Sequence, residues 1–72
     1  MIHERKKSGF EMIDLNQMSK EIYSKVGKEF PLTISVSHNE VVRITYEDIY
    51  ENNKLTNNEK QIIEDWINEK LT

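Results

Sequence analysis

From Leu32 to Tyr46 the chain alternates apolar and polar residues in two short runs, and no other segment has that period. Leu32, Ile34 and Val36 set one apolar face against Thr33, Ser35 and Ser37; Val42, Ile44 and Tyr46 do the same against Val41, Arg43 and Thr45. A period of two marks a half-buried strand. Partners in an antiparallel hairpin have a constant index sum. Setting Val36 against Val42, Ile34 against Ile44 and Leu32 against Tyr46 gives 78 each time. That register leaves His38, Asn39 and Glu40 as the loop. A two-residue loop would set Ile34 opposite Arg43 and mix the faces. A lone two-stranded ribbon is marginal in water, so something must cover it.

Two helices are expected to do so. Asp14 is placed to cap a helix over 14–26, with Gln17 three residues on and Ile13 and Met18 set for a hydrophobic staple. Leu15, Met18, Ile22 and Val26 recur at helical spacing, and Gly27 stands where a left-handed cap is needed. Thr56 and Glu59 make a second capping box ahead of a helix over 57–71, whose stripe is Ile62, Ile63, Trp66, Ile67 and Leu71. Between strand and helix, residues 47–53 read as a loop or as one helical turn with Tyr46, Ile49 and Tyr50 inward. The expected fold is α+β in the order α-β-β-α, two helices on one face of a two-stranded antiparallel hairpin. Residues 11–72 form its single domain, and the polar 1–10 segment, with its Ser-Gly break, reads as a flexible tail.

Size and charge narrow the function classes. Seventy-two residues with 36% apolar content can build only a small core, of the kind that gains from a partner. The absence of cysteine removes disulfides and thiolate metal sites and fits a reducing compartment. No apolar run suggests a signal peptide or a membrane span, so the expectation is a soluble, cytoplasmic protein with no membrane partner. The net charge of -3 is uneven: three lysines face seven acids over residues 47–72. That balance argues against general nucleic-acid binding, which needs a basic face.

Chemistry-bearing residues are sparse. His3 sits in the expected tail and His38 on the loop, without the spacing of a zinc helix. Ser35, Ser37 and His38 lie close in sequence, but neighbours along a strand point to opposite faces and no glycine-rich oxyanion loop accompanies them. Neither catalysis nor a cofactor is expected. Trp66 falls inside its helical stripe and reads as core. The stretch DIYENNKLTNNE, residues 48–59, resembles the calcium loop of the EF-hand family. Asp48, Asn52, Thr56 and Glu59 match its ligand positions 1, 5, 9 and 12. Tyr50 and Asn53 stand where the family has an acidic ligand and a glycine. The resemblance implies at most a degenerate calcium site.

The first strand carries the remaining signal. From Pro31 to Ser37 it has no charge, whereas exposed edge strands usually carry lysine, a bulge or a mid-strand proline. Such an edge is expected to be covered or used, and Thr33, Ser35, Ser37, Val41 and Arg43 are the candidate interface residues. In composition the chain also resembles the small accessory proteins of Bacillus-type prophages, being short, cysteine-free and rich in Lys, Glu, Asn and Ile. The resemblance implies a protein that binds and modulates a host or phage component. The expectation is a non-catalytic interaction module, self-associating or bound to another protein through strand 31–37. The alternative is a small nucleic-acid-associated regulator using the basic HERKK segment.

Overall fold

The computed structural model describes residues 1–71. Its elements run β1 (Ile2–Lys6), a 3-10 turn (Phe10–Met12), α1 (Leu15–Val26), β2 (Leu32–Val36), β3 (Val41–Tyr46), β4 (Ile49–Tyr50), β5 (Asn53–Lys54) and α2 (Asn57–Leu71). The fold is α+β: two helices and a small antiparallel sheet.

Strands β2 and β3 pair in the register that the index sum requires, from Leu32 opposite Tyr46 to Val36 opposite Val42. Their loop closes through Ser37, whose N–H donates to the Val41 carbonyl at 3.0 Å. The Ser37 Oγ accepts from the N–H groups of Asn39 and Val41. Glu40 completes the reversal with a left-handed φ of 63°.

The sheet is wider than expected. The expected tail contains β1, which pairs antiparallel with β3 from Ile2 opposite Thr45 to Lys6 opposite Val41. Strand order is therefore β1-β3-β2, and the two-stranded hairpin becomes a three-stranded sheet with β3 at its centre. No apolar alternation marks β1 because its positions on the helix side of the sheet are His3 and Arg5. Backbone bonds hold it, extended at one end by Tyr46 N–H to the Met1 carbonyl (3.0 Å) and at the other by Lys7 N–H to the Glu40 carbonyl (2.9 Å).

Both helices begin as their sequences dictate, and α1 also stops so. The Asp14 carboxylate accepts from the N–H groups of Asn16 and Gln17, and Gly27 terminates α1 at a φ of 90°. At α2 the box is reciprocal: Thr56 N–H donates to Glu59 Oε1 at 2.7 Å and Glu59 N–H to Thr56 Oγ1 at 3.1 Å. Residues 47–53 form neither of the expected alternatives. Glu51 and Asn52 are both left-handed, at φ 43° and 66°, which makes a two-residue turn between β4 and β5. Ile49 consequently faces solvent, 64% exposed, and Leu55 fills the core instead.

The core lies between the helices and one face of the sheet. Trp66, Ile63, Ile67 and Leu71 of α2 meet Met18 and Ile22 of α1 over Val42, Ile44 and Tyr46 of β3, all buried. Ile62, at the margin of the α2 stripe, is only half-buried. The Trp66 indole N–H is satisfied by Glu21 Oε1 at 3.2 Å. Among the described residues no helix is long and apolar enough to cross a membrane.

Candidate protein-binding edge

Hydrogen-bonded pairs alternate along an antiparallel ladder, so two bonds fix which backbone groups point where. Ser37 N–H bonds to the Val41 carbonyl and Glu47 N–H to the Pro31 carbonyl. Thr33 and Ser35, two and four residues on from Pro31, therefore turn their peptide groups toward β3. Leu32, Ile34 and Val36 turn theirs away from the sheet. Among the described residues nothing bonds to those outward groups. Pro31 does not guard this edge, because its missing N–H would have pointed toward β3.

The opposite edge is different. The bonds at Met1 and Lys7 turn the peptide groups of Ile2, Glu4 and Lys6 outward on β1. Glu4, Arg5 and Lys6 are all exposed there. Consecutive charges on an edge strand discourage pairing with another chain. The fold thus has one guarded edge and one open one.

The apolar packing is unfinished on the same side. On β3, Val42, Ile44 and Tyr46 are 0–1% exposed, whereas their partners Val36, Ile34 and Leu32 on β2 are only half-buried. Leu15, Tyr23 and Val26 of α1 are also partly buried. Glu21 marks the side of α1 that faces α2, through Trp66 and Lys70. Tyr23 lies on the other side, its hydroxyl donating to the Phe30 carbonyl at 2.9 Å. Of the seven partly buried apolar residues that pack on the core, only Tyr50 lies outside α1 and β2.

The candidate residues share the sheet face that the helices leave bare, but not one edge. Rows across it are Ile2–Thr45–Thr33, Glu4–Arg43–Ser35 and Lys6–Val41. Thr33 and Ser35 are exposed on β2. The Ser37 hydroxyl is occupied by its own turn. Val41 and Arg43 lie on the central strand, whose backbone is covered on both sides; the third strand removes them from any edge. Arg43 Nε sits 3.3 Å from Glu4 Oε1.

Sequence reasoning missed a cluster at the β1–α2 contact. His3 is not solvated: its ring stacks on Tyr46 at 6.2 Å and 7°, and its Nε2 lies 3.2 Å from Glu64 Oε2. Tyr46 donates its hydroxyl hydrogen to Glu64 Oε1 at 2.8 Å. Burial first, then Glu64, pushes the Tyr46 phenol far above its ordinary range. A lone histidine in a charged segment gives no sign of such a role. His38 is exposed on its loop.

The residues of the calcium-loop resemblance do not converge. Asp48 pairs with Lys60 at 3.4 Å, and Asn52 sits in the tight turn of the β4–β5 hairpin. Glu59 is held by the Thr56 N–H and by Lys28 at 2.9 Å, which together lower its carboxyl below the usual range. Among the described residues no three His, Asp or Glu side chains are grouped to hold a metal ion. An open groove of about 370 Å³ lies where the 3-10 turn meets the helices, lined by Phe10, Ile13 and Met18 with Lys7, Asp14 and Glu69 among its polar residues. All of the basic segment but Lys7 lies in β1, where Glu4 interrupts its positive charge. The chain matches no protein-family model, no curated protein and no solved structure.

Proposed function

We propose that the protein is a non-catalytic interaction module that binds a protein strand along the outer edge of β2. The observation that carries this reading is the edge itself. Leu32, Ile34 and Val36 offer unbonded N–H and C=O groups on a strand without charge, beside apolar side chains that are only half covered. Strand addition uses such features: main-chain bonds supply affinity and the flanking side chains supply selectivity. A cytoplasmic accessory role in a Bacillus-type prophage belongs to the same proposal and rests on composition alone.

The test is capture from native lysate by wild type and by Ser35→Lys, with Glu4→Lys on β1 as the control. Ser35 and Glu4 are both exposed, so neither change disturbs the core. Capture should be lost with Ser35→Lys and kept with Glu4→Lys. Equal capture by all three proteins contradicts the β2 edge as the binding site.

A further inference from the structure

We infer that the occupant of the β2 edge is a second copy of this chain, antiparallel, with Ile34 on the two-fold axis facing the partner's Ile34. The inference rests on the edge reading above and adds the partner and the register. In an antiparallel pair the hydrogen-bonded positions of one strand must meet hydrogen-bonded positions of the other. On β2 those are Leu32, Ile34 and Val36. Placing Ile34 on the axis sets Leu32 opposite the partner's Val36, so each outward N–H finds a carbonyl in the second copy. No group on the strand is left over, and no lysine, arginine or carboxylate opposes its own copy across the axis. A two-fold interface requires this self-complementarity, whereas a foreign strand does not.

The side chains agree with the same register. Thr33 stands opposite the partner's Ser35 on the bare face, two small hydroxyl residues that let the backbones approach. On the helix side, Leu32, Ile34 and Val36 meet their counterparts, which completes the row that β3 leaves half covered. The two sheets join in the order β1-β3-β2-β2-β3-β1, and both outer edges of the product are the charged β1 strands. The assembly therefore closes as a dimer and does not grow into a fibre. The groups left open in one copy are satisfied by a second.

Sedimentation equilibrium and cysteine trapping test the assignment together. Wild type is expected to show a monomer–dimer equilibrium, and Thr33→Lys/Ser35→Lys to remain monomeric with its far-ultraviolet circular dichroism unchanged. Because the chain lacks cysteine, each of Thr33→Cys and Ser35→Cys carries one thiol. Facing residues at a non-hydrogen-bonded position are about 4.5 Å apart at Cα, within disulfide reach. Oxidising an equal mixture of the two variants should yield mainly the mixed disulfide by mass. A product made mainly of disulfides between two copies of the same variant overturns the register. A wild-type monomer at every concentration overturns the second copy. If that monomer captures lysate protein that Ser35→Lys does not, the edge reading survives it. A dimer that persists in the double lysine variant and gives no cross-link overturns both.

Discussion

Tyr46 and Glu64 are joined by a 2.8 Å hydrogen bond, and the second oxygen of Glu64 lies 3.2 Å from His3 Nε2. One carboxylate on α2 therefore bonds the central strand and lies against the buried ring nitrogen of the N-terminal strand. Removing the phenol oxygen keeps the ring in the core but withdraws a donor from a half-buried charge. Tyr46→Phe should cost about 1.5 kcal/mol. Urea denaturation measures it, and an unchanged midpoint contradicts the bond's role.

Burial of Tyr46, with this contact, adds an alkaline limb to the stability profile. Because burial and Glu64 raise the Tyr46 phenol above its ordinary 10.0, the folded state holds that proton more tightly than the unfolded chain. Its contribution is complete below pH 10 and is lost as pH rises through the window above it. The carboxylates have the opposite sign. Lys70, with Trp66, lowers Glu21 from 4.5, and Lys60 lowers Asp48 from 3.8, so their contribution is present above those values and lost as pH falls. Thermal melts across pH should show a plateau that declines on both sides. A melting temperature that holds constant far above pH 10 contradicts the Tyr46 assignment.

The direction of each peptide group on β1 can be tested with proline. Arg5 N–H points toward β3 and meets the Val42 carbonyl, while Glu4 N–H points to solvent. Arg5→Pro should cost about 1–3 kcal/mol by leaving a ladder acceptor unpaired. Glu4→Pro should cost distinctly less, because it removes no ladder bond. Equal losses from the two variants contradict the register of β1.

Glu40 occupies a left-handed position, φ 63°, in the β2–β3 loop. A side chain there is strained, and glycine relieves the strain at some entropic cost. Glu40→Gly should stabilise the fold by about 0.5–1 kcal/mol. The measurement is again the urea midpoint, and a loss of stability contradicts the loop geometry.

What the sequence made legible was whatever has a local cause. Asp14 and Thr56 announced the helix starts, Gly27 announced a stop, and the alternation of Ile34 and Ile44 set a register that the structure keeps. β1 was not legible because its partner is more than thirty residues away and its positions on the helix side of the sheet are a half-buried His3 and an exposed Arg5, which carry no apolar period. The β4–β5 hairpin was hidden for a related reason. Glu51 and Asn52 adopt left-handed conformations without a glycine to signal them. Of the candidate interface residues, Thr33 and Ser35 lie on the edge strand β2, whereas Val41 and Arg43 lie on the central strand, because β1, which no apolar period announces, pairs along the far side of β3.

Residue-resolved amide exchange tests the open edge most directly. In dilute solution the N–H groups of Leu32, Ile34 and Val36 should exchange fast, while those of Thr33 and Ser35, bonded to β3, should exchange slowly. Raising the protein concentration should slow the first three and leave the other two unchanged. Equal protection of all five at the lowest concentration contradicts the account, because the edge of β2 would then be closed within the single chain.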